Sequence, residues 1–398
     1  MLSRASATRW LLVVACISTA WACGGASNGS QDTTIPGPIE LGPIDSTNPT
    51  LPPETEPPTT TEPAGPPHIE FAFSGDVLIH SQLYRRALDN TGGNGYDFTP
   101  MFAEIKPLIE SVDYAICHLE VPIAPAGQNP STFPLYGAPA EILDAVAGAG
   151  YDRCSTASNH TLDKGVPGIE STIADFERVG ITQAGMARTP AEIEPTVLEV
   201  NGIKFTHLAY TYGYNGLSTP AGEEWRSALI DPDRIIADAK KAREMGAEFV
   251  IVSLHWGSQT AVTEYQRTRA EKITASGVVD LIVGHHAHMV QPIEQINGVW
   301  TVFGLGNSLS YHPTEGVPQA QTQDGMIVTV NVVRNDAGGF TVERPVVHPT
   351  WVDKYDGMVI RLVKQGLNDP NLSAAVKEQL SVSLRRTTKV VGDYIEAD

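Results

Sequence analysis

The chain has 398 residues, of which 41% are hydrophobic, and its 46 acidic and 27 basic side chains give a formal net charge of −19. This length and composition indicate a globular protein with room for one large domain or two ordinary ones. Nothing in the sequence resembles the basic stripe that neutralises phosphates, so we expect no nucleic-acid partner.

The N-terminal 22 residues resemble a secretion signal. Two arginines precede an apolar stretch from Trp10 to Ala22, which has the length of a signal-peptide core and is too short to span a bilayer as a helix. The small residues around Cys23 resemble a bacterial lipobox, although an alanine stands where the pattern prefers an aliphatic residue. We therefore expect residues 1–22 to be removed and Cys23 to be lipidated. The protein is then exported and anchored to the outer face of the cytoplasmic membrane.

Residues 23–67 are predicted to be the lipidated cysteine and a linker. Residues 24–67 hold 11 of the 29 prolines, eight threonines, six acids and no Lys or Arg. Such a segment buries too little apolar surface to offset its ordering entropy. At about 3.1 Å per residue in an extended conformation, it could hold a domain roughly 140 Å from a membrane. An O-glycosylated or merely solvating stalk is the alternative.

From residue 68 onward, predicted strands and helices alternate. Amphipathic spacing and turn pairs predict an α/β (α+β) fold, a mixed two-sheet sandwich with helices outside, over 68–350, followed by a C-terminal helical extension over 351–398. Apolar runs predict strands near 69–74, 113–118, 152–156, 181–184, 248–254 and 279–283, helices over 101–111, 139–149, 168–179, 231–245 and 264–276, and strand pairs around 194–210, 291–305 and 326–348.

Small and metal-binding residues follow six of the apolar runs. Ligand groups gather beyond the carboxyl ends of the strands in an open α/β sheet, so these residues are expected at one edge of one sheet. Their mixture of oxygen and nitrogen donors without thiolate suits Mn, Zn or Fe, or a pair of such ions. The residues are Asp76, Glu120, Asn159, His160, His255, His286 and His288.

Six motifs also carry a resemblance to a known family. SGDVLIH, CHLEVPI, ASNHTLDKG, LHWGSQ, GHHAHMVQPIE and GLGNSLS, in this order over residues 68 to about 312, resemble the poly-γ-glutamate capsule-synthesis family called CapA. That family belongs to the metallo-dependent phosphatase superfamily. The resemblance covers most of the chain beyond the linker. It implies a four-layer αββα sandwich that holds two divalent metal ions.

The resemblance further implies roles for individual residues. His160 would donate a proton to the leaving group or hold the substrate. Asp163 would orient His160 or cap the next helix, in preference to the alternative of binding a metal ion. Asn307 would position a substrate oxygen or cap a turn. Glu120 would bridge the two ions. The implied metal ligands are Asp76, Glu120, Asn159, His255, His286 and His288.

Some positions depart from the family pattern or stay open. The first motif lacks a histidine that many superfamily members have, and His80 either replaces it as a ligand or is a satisfied side chain. His118 stands where the family commonly has Asn. If the GHHAH segment is extended, His286 and His288 share one side and His285 faces away, so His285 is expected behind the ligands, with ligation as the alternative.

Two further features stay open. Cys117 and Cys154 each end a predicted strand, and they are either a disulfide or a pair of small buried hydrophobic residues. The aromatic loop at residues 210–215 either walls a cleft or covers the core.

Two classes of function follow. One is a metal-dependent hydrolase that acts on a phosphoester or an amide-linked envelope polymer. The other is a metal-stabilised scaffold or polymer-binding component of the capsule or envelope machinery. Fold-level analogy does not choose between them. The expected partners are the membrane, through the lipid anchor, the polymer or phosphoester, and the synthesis machinery.

Overall fold

Two β-sheets form the centre of the protein in a computed structural model, which describes residues 65–259, 261–312 and 319–397. The predictions for the signal peptide, for Cys23 and for the linker up to residue 64 lie outside this part of the chain. Among the helices of the described residues, none is long and apolar enough to cross a membrane.

Strands and helices mostly alternate in the first two thirds of the described chain, and a run of paired strands follows, as the sequence predicts. The strands are β1 (His68–Leu78), β2 (Tyr114–Leu119), β3 (Arg153–Ser155), β4 (Thr182–Ala184), β5 (Leu198–Val200), β6 (Ile203–Thr211), β7 (Phe249–His255), β8 (Leu281–His285), β9 (Ile293–Ile296), β10 (Val299–Val302), β11 (Asn307–Ser310), β12 (Asp324–Arg334), β13 (Phe340–Val342), β14 (Val346–Asp353) and β15 (Val359–Leu362). The helices are α1 (Ser81–Asn90), α2 (Thr99–Phe102), α3 (Lys106–Ile109), α4 (Glu141–Gly148), α5 (Gly165–Val179), α6 (Pro232–Glu244), α7 (Glu264–Thr274), α8 (Val363–Asn368) and α9 (Ala374–Val391).

Both sheets contain a run of parallel strands. The first sheet has the order β15-β14-β12-β1-β2-β3-β4, with β11 added to β1 and β13 to β12, and the second has the order β5-β6-β7-β8-β10-β9. Strands β1 to β4 run parallel, as do β6, β7, β8 and β10. The carboxyl ends of neighbouring parallel strands meet at one edge, which is where side chains that follow these strands converge.

The two sheets pack face to face through aromatic side chains. Phe71 of β1 lies 5.1 Å from Phe205 of β6 and 6.2 Å from Phe249 of β7, measured between ring centroids. Ile69 and Phe73, two residues to either side of Phe71, join the same buried cluster because alternate residues of a strand share a face. Full burial of each such side chain contributes about 1.5–3 kcal/mol to the free energy of folding.

Helices cover the outer face of each sheet. Ala72 of β1 points away from the second sheet and belongs to a cluster with Leu83 of α1 and Phe176 of α5. On the other side, Val250 of β7 packs in a cluster with residues of α6 and α7. The protein is therefore a mixed α/β sandwich with helix, sheet, sheet and helix layers, as the sequence predicts.

Two local predictions differ from the structure. Residues 101–111 form the short helices α2 and α3 rather than one helix, because Pro107 cannot continue a helix that precedes it and instead lies in the first turn of α3. Residues 351–398, expected to be helical, first complete β14 and form β15 before α8 and α9 begin. The first sheet therefore extends beyond residue 350.

A disulfide joins two neighbouring strands of the first sheet. Cys117 of β2 pairs in register with Cys154 of β3, and their Cα atoms lie 4.4 Å apart. Both residues are fully buried. Of the two alternatives left open by the sequence, the structure has the covalent pair.

We expect the double variant Cys117→Ala/Cys154→Ala to lower the free energy of unfolding by about 4 kcal/mol. The bond closes a loop with a sequence separation of 37 residues, and closing such a loop restricts the unfolded chain. Urea denaturation of wild type and variant measures the difference. Reductant should lower the midpoint of the wild type and leave the variant unchanged, whereas an insensitive wild type would mean that the cysteines act only as small buried side chains.

Candidate metal centre

Side chains from both sheets meet at the carboxyl ends of the parallel strands. Asp76 lies near the end of β1, Glu120 directly follows β2, and His255 is the last residue of β7. Asn159 and His160 follow β3, while His286 and His288 follow β8. The structure therefore brings together all seven side chains of the set that the strand-end pattern predicts.

The position of Asp76 depends on a close approach of two backbone segments. The Asp76 amide donates to Gly306 O at 2.9 Å. A Cβ atom at Gly75 would come within 2.0 Å of the same oxygen, so only glycine fits before this aspartate. The Gly-Asp pair of the first motif is thus a place where the strand is held against the segment that leads into β11.

Within the described ranges, three overlapping groups of donors have ligand atoms within 4.8 Å of one another. Glu120 belongs to two of these groups, as do Asp76 and His255, and membership of two groups is what a carboxylate that bridges two ions requires. The groups are Asp76, Glu120 and His288; Glu120, His255 and His286; and Asp76, His118 and His255. Their members combine carboxylate oxygen with imidazole nitrogen, a donor set that suits a divalent cation.

The carboxylate of Glu120 gives a direct test of whether the residues fit a cation. Both of its oxygens are buried, and neither has a hydrogen-bond partner among the described residues. The nearest imidazole nitrogens are His288 Nε2 at 3.6 Å and His255 Nε2 at 3.9 Å from Oε1. A buried, unbonded carboxylate is costly unless a cation compensates it, so this cluster fits a metal centre.

His288 lies between the two carboxylates. Its Nδ1 is 3.0 Å from Asp76 Oδ2 and 3.0 Å from Asn307 Oδ1. The Asn307 amide donates to Thr322 O at 2.8 Å, and its side chain is fully buried. Asn307, which the sequence suggests for the substrate or for a turn, therefore contacts a predicted ligand in this structure.

Asn159 and an aromatic ring lie next to the group formed by Glu120, His255 and His286. His255 Nε2 lies 2.8 Å from Asn159 Oδ1, so the amide oxygen points toward the donors as the family pattern implies. The ring of Tyr212 lies 4.6 Å from that of His286 and is 41% exposed. The loop at residues 210–215 therefore contacts the donors through Tyr212, which is itself partly exposed.

His160 lies beside the donor groups and is not a member of them. Its Nδ1 is 2.6 Å from Asp163 Oδ2, which also accepts from the Tyr136 amide at 2.7 Å. The ring of Tyr136 packs edge-on against His160, with 4.7 Å between centroids. Of the two roles suggested for Asp163, the structure has the contact with His160, and the N-cap position of α5 is Lys164.

His80 and His285 lie outside the three groups. His80 Nδ1 lies 3.1 Å from Leu78 O, and its Nε2 lies 3.2 Å from the Tyr136 hydroxyl, so this histidine is satisfied by protein atoms. His285 stacks on His118 at 4.1 Å, and its Nδ1 is 3.7 Å from Asp76 Oδ1.

The GHHAH segment is not extended after His285. His286 has φ 83° and His288 has φ 52°, which is the left-handed region. Non-glycine residues adopt this conformation at a cost, and it recurs at functional sites. The two rings reach one centre, 5.8 Å apart between centroids, through this turn and not through the alternation of a strand.

His118 is the buried site residue that the sequence did not assign a role. It is the fifth residue of β2, and its Nε2 lies 2.9 Å from His255 Nδ1. The only signal was its departure from the family's usual Asn. A single sequence does not reveal that this departure faces an imidazole on the other sheet.

The two carboxylates and His288 shift one another's pKa values. Burial opposes ionisation of Asp76, but the hydrogen bond and charge of His288 outweigh it and lower the pKa to about 2. Burial raises the pKa of Glu120 to about 7, with the charge of Asp76 adding to the effect. Burial opposes the charged form of His288, yet Glu120 and Asp76 prevail and raise its pKa to about 9.

We expect metal affinity to increase as the pH rises from about 6 to about 9. His288 and Glu120 hold protons below the pKa values just given, and a bound cation requires both groups deprotonated. Each displaced proton changes the affinity by up to about tenfold per pH unit. Calorimetric titration with Zn²⁺ in buffers of different ionisation enthalpy measures this release. A pH-independent affinity without proton release would contradict the involvement of His288.

The fold and the site together define an αββα protein with a buried histidine–carboxylate cluster suited to divalent cations. The model of the family "Bacterial capsule synthesis protein PGA_cap" matches residues 70–312, and the chain belongs to this family.

The chain is similar to two curated proteins of this kind. It is 24% identical over 328 residues to the PGA biosynthesis protein CapA of Bacillus subtilis (strain 168), which covers 78% of this chain and 80% of that protein. It is 25% identical over 249 residues to the capsule biosynthesis protein CapA of Bacillus anthracis, which covers 60% of this chain and 59% of that protein. A putative 5'-nucleotidase structure from Staphylococcus aureus matches with a TM-score of 0.46 and 13% identity, over 80% of this chain and 58% of that one.

Proposed function

We propose that this protein is a metal-dependent hydrolase of the bacterial cell envelope that uses two divalent ions. The observation that supports the proposal is Glu120, a buried carboxylate that is shared by two donor groups and has no hydrogen-bond partner in the part of the chain that the structure describes. The substrate is a phosphoester or an amide-linked envelope polymer. Poly-γ-glutamate is the polymer that membership of the capsule-synthesis family suggests.

The residues that would hold the ions divide into two sides that share Glu120. Asp76 and His288 lie on one side, and His255, His286 and Asn159 lie on the other. Divalent cations held by such donors supply Lewis acidity and increase the acidity of water. Mn, Zn and Fe all suit this mixture of oxygen and nitrogen donors.

His160 is the residue placed to move a proton. Asp163 occupies its Nδ1, which fixes the ring and leaves Nε2 as the atom that exchanges a proton with a leaving group. Tyr136 packs against the ring and restricts its rotation. Tyr212, half exposed beside His286, bounds the space in which a substrate would lie.

The second candidate is a metal-stabilised component of capsule or envelope synthesis that binds polymer without cleaving it. It is favoured by the names of the two Bacillus relatives, which refer to biosynthesis and not to hydrolysis. In this case the ions would order the ends of the strands, and His160 would have no chemical role.

Metal content and hydrolysis of the mature chain test the proposal. Elemental analysis after purification without chelator should find about two ions per chain, and the loaded protein should hydrolyse a phosphomonoester, a phosphodiester or poly-γ-glutamate. Absence of metal, together with no uptake of Mn or Zn, would refute the metal centre. The hydrolase proposal would be refuted if the metal-loaded protein were inactive on all three substrates and a His160→Ala strain still made a normal envelope. The metal-stabilised, non-catalytic component would then be the remaining candidate.

We also propose that the protein is held at the outer face of the membrane through lipidated Cys23. An apolar segment of signal-peptide length ends at this cysteine. We expect Cys23→Ser to release the protein from the membrane fraction and to change its electrophoretic mobility, because the acyl chains and the processing step are both lost. Fractionation of cells that express the two forms measures this. Unchanged membrane association and mobility would refute lipidation.

A further inference from the structure

A short series of hydrogen bonds runs behind His255, away from the donor groups. His118 Nε2 lies 2.9 Å from His255 Nδ1, and His118 Nδ1 lies 2.7 Å from the hydroxyl of Ser155. The Ser155 hydroxyl lies 3.5 Å from Cys117 O. All four residues are buried, so water does not compete for these bonds.

The two nitrogens of His255 face different partners. Nε2 faces Asn159 Oδ1 at 2.8 Å and Glu120 Oε1 at 3.9 Å, which is the side of the shared carboxylate. Nδ1 faces His118. A neutral imidazole that gives its Nε2 lone pair to a cation carries its proton on Nδ1 and needs an acceptor there.

Only one arrangement satisfies that requirement. His118 Nε2 must be unprotonated in order to accept from His255 Nδ1, so His118 carries its own proton on Nδ1 and donates it to the Ser155 oxygen. A nitrogen lone pair that accepts this hydrogen bond cannot also bind a cation. His118 Nε2 therefore either accepts the hydrogen bond from His255 Nδ1 or binds a cation, and the distance of 2.9 Å is that of a hydrogen bond.

We propose that His118 is a positioning residue that fixes the tautomer and the ring orientation of His255, with Ser155 in turn fixing His118. In metal-binding sites this role usually belongs to a carboxylate, a carbonyl or a water. Here a second imidazole fills it. Binding of a cation at His255 Nε2 thus sets His118 in its Nδ1–H form without a bond between His118 and the ion.

The surroundings hold His118 in the geometry that this role needs. The ring of His285 stacks on it at 4.1 Å with 16° between the planes, which prevents rotation about the side chain. Held in this way, His118 directs one ring nitrogen at His255 and the other at Ser155, which are the two contacts that the series requires.

This inference rests on the proposed metal centre, and metal affinity tests the two separately. We expect His118→Leu to weaken Zn²⁺ binding by about 10- to 100-fold, because His255 loses its acceptor. His118→Gln, whose amide oxygen can take the place of Nε2, should regain most of this loss. Circular dichroism establishes that each variant is folded.

Ser155→Ala and Ser253→Ala form a matched pair of controls. Each removes a buried hydroxyl that contacts an imidazole, since Ser253 Oγ lies 2.8 Å from His207 Nε2 on the adjoining strands β6 and β7. We expect Ser155→Ala to weaken Zn²⁺ binding and Ser253→Ala to leave it unchanged. Equal effects of the two changes would overturn the proposal.

NMR of the ring nitrogens in the Zn²⁺-loaded protein separates positioning from ligation. We expect a protonated Nδ1 and a metal-free, unprotonated Nε2 in His118, and metal ligation at Nε2 of His255. A metal-ligated nitrogen in His118 would overturn the inference, as would wild-type affinity in His118→Leu. A wild type that takes up no cation would refute the proposed metal centre, and this inference with it.

Discussion

Glu120→Ala is expected to lose both metal ions, so that the content falls from about two per chain to near zero. Glu120 is shared by the group of Asp76 and His288 and by the group of His255 and His286. Without Glu120, Asp76 is the one carboxylate of its group that remains beside His288. Elemental analysis of the variant, purified beside the wild type without chelator, measures the loss.

The control for Glu120→Ala is a variant of a ligand that belongs to a single group. His286→Ala removes a donor from the Glu120 and His255 side and leaves Asp76, Glu120 and His288 in place. We expect this variant to retain about one ion per chain. Two ions retained in Glu120→Ala, or equal losses in both variants, would show that Glu120 does not bridge.

His160→Ala is expected to lower hydrolysis by roughly 10²- to 10⁴-fold while the metal content stays constant. General acid catalysis typically contributes a factor of this size. His160 lies outside the donor groups and is held by Asp163, so its loss removes a proton donor without removing a ligand. Turnover of a generic phosphomonoester or phosphodiester, measured with metal analysis on the same sample, gives both quantities.

Two kinds of control variant are compared with His160→Ala. His255→Ala and His288→Ala should lose activity together with metal. His80→Ala removes another histidine that packs against Tyr136 and should change turnover far less, because His80 is satisfied by Leu78 and Tyr136. A His160→Ala protein with wild-type turnover, or one that lacks metal, would contradict the role of proton donor.

The sequence predicts the layers of the fold because local patterns determine them. Buried parallel strands are continuous apolar runs, and Phe249–His255 and Leu281–His285 lie within two residues of the predicted strands. The prediction of one helix over 101–111 is wrong, because the apolar spacing favours a continuous helix whereas Pro107 interrupts it. Strand β15 is short and lies next to helical sequence, so its place in the sheet is decided by pairing with β14.

The sequence also predicts which side chains gather at the site, because the carboxyl ends of parallel strands meet. It does not predict how they are oriented. His286 and His288 face the centre through left-handed backbone, whereas the prediction assumed an extended segment. The sequence did not predict a role for His118, because its partner, His255, lies on the other sheet, 137 residues away along the chain. Contacts between sheets depend on packing that no local pattern records.

The disulfide also lies close to the candidate site. Cys117↔Cys154 and His118↔Ser155 are consecutive pairs in the ladder between β2 and β3, so the covalent bond lies one pair away from the contact that supports His255. The bond therefore holds together the two strands that carry His118 and Ser155, whether or not a cation is bound. A cross-link made for stability thus also constrains the backbone from which the site is built.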